Sequence, residues 1–341
     1  MDTKYECLKK QQLFRYNSID AMKLMMALCV AAIHIRPYAV GEAGQFGLMR
    51  CFDTFFQLAV PFFFVTTGYF IGVKLDDGIS NKGNLSIIRQ YLSKSVRLYV
   101  IWTIVYLPLS LLFYKKYFKG TNIRKILDFA IGFLFKGEHW QSYMLWYLLS
   151  LIYTLAFLYI LGRYRISVEK IFMISLLIFI GAGLYERKIA GMTYIFPVKA
   201  VHFLFGSSGR LFTGPFYVSL GMMLSTKNIK IQAGAAMFLA GFLGYALFET
   251  GGGTYASVFL GIGAAGLFRC VQSVKVKDSE IYAFCRMASK TVYFCHLMIH
   301  TILSLILWNE LRYGLLVFMS VILINAGLSA LVFYKKQWEP A

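Results

Sequence analysis

Apolar and polar residues follow one another along this chain in long blocks. Apolar runs of about 17–25 residues recur, and shorter polar or charged stretches separate them. A run of that length matches a helix that crosses the hydrocarbon core of a bilayer. The pattern therefore predicts an all-α, polytopic transmembrane helix bundle of about ten spans. The predicted spans are 18–36, 52–73, 95–114, 142–161, 171–186, 209–225, 231–249, 254–270, 290–308 and 314–334.

Two further segments do not fit a simple span. The stretch 194–206 is too short and too mixed, and we expect a re-entrant segment or a loop there. Residues 122–136 place charged and apolar side chains on different faces, which predicts a helix lying at the membrane surface. The predicted organisation is a cytoplasmic basic tail (1–17), one transmembrane domain (18–336) and a short C-terminal tail (337–341), with no soluble catalytic domain.

Composition and charge narrow the class of protein. The chain is 58% hydrophobic and 15% charged, whereas soluble domains lie nearer one half and one quarter. Most of its lysines and arginines fall on one side of the predicted topology, which puts both termini in the cytoplasm of a multi-pass cell-membrane protein. The net charge of +19 then reflects topology and anionic lipid in the bilayer, and we expect no nucleic-acid partner.

The first predicted span contains two ionisable side chains, Lys23 and His34. Eleven helical residues turn about 1100° and rise about 16 Å, so both side chains share one face of the helix. Asp20 lies one turn before Lys23, where the two could pair. Histidine is a natural base or acyl carrier near neutral pH. The alternative is that Lys23 extends to the inner headgroups and His34 lies at the outer interface.

The segment "SIDAMKLMMALCVAAIH" resembles the opening of the acyltransferase-3 family of integral membrane acyltransferases. The first helix of that family usually carries an arginine, ten residues and then a histidine; here the spacing is kept, and Lys23 replaces the two-pronged arginine. Further family landmarks follow in order over the whole chain. They are "VPFFFVTTGYFIG" (60–72), "LSKSVRLYVIW" (92–102), "LWYL" (145–148) and "SKTVYFCH" (289–296).

Within that family, the chain is most similar to the membrane module of vancomycin-resistance-type membrane serine racemases. The segments "QLAVPFFFVTTGYF", "LWYL" and "GRLFTGPFYVSLGMML" (209–224) carry this likeness. Those proteins continue into a soluble pyridoxal-phosphate racemase domain. This chain ends where such a domain would begin, so we expect an isolated membrane module whose candidate partner is a soluble racemase domain.

The resemblance implies a donor, an acceptor and a set of site residues. The donor would be acetyl-CoA or another acyl-CoA, with its phosphates near Lys94 and Arg97 and assisted by Lys23; ordinary anchoring at the inner membrane surface is the alternative for the first two. His34 would be the base or acyl carrier, with His296 lining the site. The acceptor would be a hydroxyl or amine of an envelope glycan, a peptidoglycan-related molecule or an amino-acid-like molecule.

Arg210, Trp146 and Tyr147 are candidates for acceptor binding. Arg210 could hold an anionic group, or it could contact lipid headgroups. The two aromatic residues could equally be packing residues. His296 and His300 lie one turn apart, but no carboxylate follows His296 as a zinc-hydrolase pattern requires, so we predict no metal site.

Two other functions remain open beside acyl transfer from the cytoplasm to an extracytoplasmic acceptor. The first is a serine transport or delivery module of a membrane-bound serine racemase, because polar residues inside a bundle can line a permeation path. The second is a structural membrane anchor.

Overall fold

The computed structural model describes residues 2–37, 46–75, 82–117, 120–138, 142–189, 209–248, 254–306 and 314–338. Within these ranges the regular structure is helical and no β-strand occurs, which confirms the all-α prediction. The α-helices are α1 (Asp2–Ile35), α2 (Phe46–Gln57), α3 (Ala59–Gly72), α4 (Lys82–Tyr117), α5 (Asn122–Ile131), α6 (Trp146–Arg163), α7 (Val168–Ile189), α8 (Gly209–Thr226), α9 (Ile231–Phe248), α10 (Thr254–Ser273), α11 (Glu280–Ile306) and α12 (Leu315–Trp338). A π-helix (Gly132–Lys136) and a 3-10 helix (Tyr143–Leu145) lie between α5 and α6.

Eight segments of the described chain are long and apolar enough to cross a bilayer, which makes this a multi-pass membrane protein. They are Asn17–Ile35, Cys51–Gly72, Gly83–Tyr117, Tyr143–Arg163, Ile231–Phe248, Ala256–Ser273, Glu280–Ile306 and Leu315–Lys335. The predicted spans 171–186 and 209–225 are the helices α7 and α8, which are not among these eight. The count of ten spans therefore stays a prediction. The segment 194–206 lies outside the described residues.

The predicted span 52–73 consists of two helices that meet at Leu58. Pro61 has no N–H with which to bond the carbonyl of Gln57, and α2 ends at that residue. The chain makes one turn there, in which the Leu58 N–H donates to Phe55 O, and α3 then begins at Ala59.

α1 includes the residues predicted as a basic tail and continues as a helix into the first span. Asn17 is buried within it and donates a hydrogen bond to Asp278 at 3.0 Å. The helix ends because Pro37 disfavours the helical conformation at Arg36, which adopts the left-handed conformation with φ of 50°. His34 therefore lies in the last turn of α1.

The helices form two compact groups. The first group comprises Met1–Phe63, Ile229–Ala246 and Ile262–Ala341; the second comprises Phe64–Asn228 and Leu247–Gly261. In the first group, α1 packs against α11 and α12, which also pack against each other. In the second group, α6 packs against α4 and α8, and α8 packs against α7.

Small residues bring backbones together in the second group. A Cβ atom on Gly68 of α3 would overlap the Val218 carbonyl oxygen of α8, and one on Gly221 would overlap the Val65 carbonyl oxygen. Pro215 of α8 leaves the Leu211 carbonyl without its usual helical partner, and the Ser150 hydroxyl of α6 donates to that oxygen at 3.2 Å.

The predicted surface helix 122–136 is helical, as α5 followed by the π-helix, and no residue of α5 is buried. Tyrosine hydroxyls tie it to the neighbouring helices: Tyr99 donates to Phe133 O at 2.7 Å, and Tyr114 donates to Asp128 Oδ2 at 2.7 Å. Its position at a membrane surface stays a prediction.

Candidate functional site

Polar contacts join α1 to α11 at two levels. Asp20 of α1 meets Arg286 of α11, and further along both helices His34 meets His296. Sequence number rises in the same direction on both helices, so α1 and α11 run parallel. We call the level of Asp20 the charged end of this pair and the level of His34 the imidazole end.

The charged end is built around one buried carboxylate. Asp20 is 2% exposed; it accepts a hydrogen bond from Arg286 Nε at 2.7 Å and lies 3.4 Å from Lys23 Nζ. The contact between Asp20 and Lys23 was predicted from their spacing and is confirmed. Burying a carboxylate is costly unless it is paired, so the two cations explain how Asp20 is accommodated there.

Arg286 is a member of this site that the sequence analysis missed. The ninth span was predicted to begin at residue 290, which left Arg286 in a cytoplasmic loop. The helix begins at Glu280, nearly three turns before residue 290, and includes the arginine. The Arg286 side chain is half exposed, and Lys290 lies close enough to interact electrostatically with Lys23.

The imidazole end holds two histidine rings in contact. The ring centroids of His34 and His296 lie 5.4 Å apart, and the ring planes are inclined by 25°. His34 is partly exposed, and His296 is 0% exposed. Every residue from Val292 to Leu297 is buried, so His34 is the more accessible of the two rings. The predicted site residues His34 and His296 are therefore brought together inside one helix pair.

A backbone carbonyl determines which nitrogen of His296 carries a proton. Nδ1 lies 2.9 Å from the carbonyl oxygen of Val292, one turn earlier on the same helix. Only an N–H can donate to a carbonyl, so in the neutral ring the proton is on Nδ1 and Nε2 offers a lone pair. Within the described part of the chain, Nε2 is buried and has no hydrogen-bond partner.

The remaining candidates belong to the second group of helices. Lys94 and Arg97 lie on α4 and are both exposed, less than one turn apart. Trp146 is the first residue of α6. The Tyr147 ring packs against Phe64 with centroids 4.5 Å apart, and its hydroxyl hydrogen-bonds with Thr67. The backbone of Arg210 lies in α8, but its side chain is outside the described structure.

Three of the landmark segments from the sequence meet within the second group. Phe64 and Thr67 belong to the segment 60–72, Tyr147 to 145–148, and Val218 to 209–224. The Phe64–Tyr147 and Gly68–Val218 contacts join them. These residue types are thus explained locally by ring packing, one hydrogen bond and a close backbone approach.

Comparison with known sequences identifies the class of protein. The acyltransferase-3 profile, described as an acyltransferase domain, matches residues 16–334. The chain belongs to the acyltransferase-3 family. The match begins just before Asp20 and extends into α12, so both helices of the α1–α11 pair are family elements.

Individual relatives of this acyltransferase-3 protein carry another name. A serine/alanine racemase from Enterococcus gallinarum is 26% identical over 242 residues, which are 66% of this chain and 32% of that protein. An amino-acid racemase from Enterococcus faecalis is 31% identical over 256 residues, which are 72% of this chain and 34% of that protein. The matched part thus spans about a third of each relative's length. No solved structure matches the chain.

Proposed function

We propose that this protein transfers an acyl group, of the acetyl type, from a cytoplasmic acyl-CoA to a hydroxyl or amine on an extracytoplasmic acceptor. One observation carries the proposal beyond the family: His34 and His296 are in ring contact, at the imidazole end of a helix pair that crosses the membrane. Ionisable residues inside membrane spans are costly and usually functional. Two adjoining imidazoles are groups suited to moving a proton near neutral pH.

In the proposed reaction His34 is the general base. It takes the proton of the acceptor O–H or N–H while that atom forms a bond to the thioester carbonyl carbon. The carbon–sulfur bond then breaks, coenzyme A leaves as a thiolate, and the thiolate takes up the proton that His34 received. The alternative role of His34 as a transient acyl carrier would leave the labelled acyl group on the protein.

The donor phosphates are proposed to bind Lys94 and Arg97, with Lys23 assisting. Exposure of both side chains on one stretch of α4 supports this role, since a phosphate needs cations that are accessible from water. Lys23 is held by Asp20 in the same span as His34, about 16 Å before it along the helix.

The proposed orientation has both termini in the cytoplasm. The parallel run of α1 and α11 supports an even number of spans between their starting points. That parity is the same if α7 and α8 both cross the membrane or if neither does. The charged end would then lie toward the cytoplasm, where the donor is found, and the imidazole end toward the acceptor.

The proposed acceptor is an envelope glycan, a peptidoglycan-related molecule or an amino-acid-like molecule. Arg210, Trp146 and Tyr147 are proposed to contact it. The local packing of Tyr147 against Phe64 and Thr67 supports only a fixed position for its ring.

Acyl-CoA turnover tests the function. Purified protein in lipid nanodiscs is incubated with acetyl-CoA labelled in the acetyl group, and free coenzyme A, free acetate and labelled envelope fragments are measured. We expect turnover in the wild type and a loss of at least about 100-fold in His34→Ala, the usual contribution of a general base. His300→Ala, which changes another histidine in the first helix group, serves as the matched control. Equal turnover in His34→Ala and wild type would refute the proposal.

A serine transport or delivery module is the second candidate, because the relatives named above are racemases. We would measure uptake of labelled L-serine into proteoliposomes with and without acetyl-CoA. Uptake that needs no donor, together with absent acetyl-CoA turnover, would favour transport over acyl transfer.

A further inference from the structure

Nε2 of His296 is one of four buried polar atoms of the first helix group that have no hydrogen-bond partner among the described residues; the others are oxygen atoms of Ser18, Thr54 and Asn325. His296 is the only titratable residue of these four. The large majority of buried side-chain polar atoms in proteins have a hydrogen-bond partner. Nε2 of His296 is completely buried and has none among the described residues, although the other ring nitrogen is fixed by Val292 O. With the proton on Nδ1, Nε2 can only accept a hydrogen bond.

The donor that Nε2 needs does not come from the reacting thioester. A thioester offers an oxygen and a sulfur, and both only accept hydrogen bonds. The acceptor molecule, in contrast, carries O–H or N–H groups. His34 uses the hydrogen of the attacking group in the proposed reaction, so a hydrogen that Nε2 accepts from the acceptor molecule is a second one, on a neighbouring group.

We infer that His296 selects acceptors that present two adjacent donor groups, such as a vicinal diol or an amino alcohol, with one group reacting at His34 and the other held by Nε2 of His296. The 5.4 Å between the ring centroids is compatible with two polar groups on neighbouring carbon atoms. His296 is then a specificity residue that contacts the acceptor, and the inference rests on the proposed acyl transfer.

Two small probes that differ by a single donor test this inference. Ethylene glycol has two adjacent hydroxyls, and 2-methoxyethanol has one hydroxyl next to a methyl ether. Acetyl transfer from labelled acetyl-CoA to each probe is measured over a range of probe concentrations. We expect the wild type to prefer ethylene glycol by about tenfold in kcat/KM, the worth of one hydrogen bond.

Two substitutions separate the hydrogen bond from the space that the ring fills. His296→Phe keeps a planar ring without a nitrogen and should abolish the preference while the KM for acetyl-CoA is unchanged. His296→Gln places an amide oxygen near the position of Nε2 and should retain most of the preference. His300→Gln, one turn along α11, should behave as the wild type. A preference that persists in His296→Phe, or one absent from the wild type, overturns the inference.

If neither probe is acetylated, a spectroscopic measurement tests whether Nε2 of His296 accepts a hydrogen bond from the probe. Protein labelled with ¹⁵N-histidine is titrated with ethylene glycol and with 1,2-dimethoxyethane, which has no donor. We expect the Nε2 resonance of His296 to shift with ethylene glycol alone. A protonated Nε2 in the free protein, or no selective shift, overturns the inference. Absence of any thioester turnover in the wild type refutes the proposed function instead.

Discussion

Two helix pairs of this protein are joined in opposite ways. In the second group, α3 and α8 meet through backbone atoms, because Gly68 and Gly221 leave no side chain between them. In the first group, α1 and α11 meet through side chains: a carboxylate between two cations at one end and two imidazoles at the other. The first kind of contact needs close packing, and the second needs charges and hydrogen-bonding atoms.

The difference supports α1 and α11 as the pair that carries the proposed chemistry. Small residues suffice to associate helices in a bilayer, so nothing about membrane folding requires ionisable groups between α1 and α11. Ionisable groups within a membrane span cost free energy. At the charged end the cost is offset by pairing around Asp20, which is a structural solution. At the imidazole end a buried nitrogen has no partner in the described chain, which supports the proposed contact with an acceptor.

The largest effect on stability is expected where α3 and α8 touch. Gly68→Leu forces a side chain into the Val218 carbonyl and should lower the free energy of unfolding by about 3 kcal/mol, since the backbones must separate. Unfolding in detergent measures it. Gly181→Leu in α7 is the matched control, because a Cβ at Gly181 meets no atom within 4 Å. Equal stability of the two variants would show that the close contact is not needed.

A substitution at the charged end should lower the free energy of unfolding by a smaller amount. Asp20→Asn removes the negative charge and keeps the shape, so Lys23 and Arg286 lose their countercharge. We expect a loss of about 2 kcal/mol in the same assay, less than for a fully buried pair because Arg286 is half exposed. The exposed Glu280→Gln on α11 is the control. Adding Arg286→Gln to Asp20→Asn should recover part of the loss, and a further loss would contradict the pairing.

The smallest change in stability is expected for substitutions on the exposed surface of α4. Arg97→Gln should leave stability unchanged and raise the KM for acetyl-CoA about tenfold, equivalent to about 1.4 kcal/mol, if the guanidinium holds a donor phosphate. Steady-state turnover at varied acetyl-CoA measures the change. Lys116→Gln, near the other end of α4, should have no effect. An unchanged KM in Arg97→Gln would leave that cation with a membrane-anchoring role.

Much of this arrangement was predictable, and the failures have physical reasons. The length of the apolar runs predicted the helices, and the helical spacing of Asp20 and Lys23 predicted their contact. The break at Leu58 was missed, although Pro61 indicates it. Proline has no N–H to donate to the carbonyl of Gln57, four residues earlier. Arg286 was missed because a hydropathy boundary excludes a charged turn from a helix that nevertheless continues. The contact between His34 and His296 is tertiary, and one sequence alone contains no periodicity that links α1 to α11.

The most direct test asks if the two histidines act as one centre. Acetyl-CoA turnover, with the better of the two probe acceptors, is measured for His34→Ala, for His296→Phe and for the double variant. The effects of substituting residues of a single reaction centre are not additive. We predict that the double variant turns over no more slowly than His34→Ala alone. Losses that add in full would mean that the two rings work independently, and would contradict a shared site between α1 and α11.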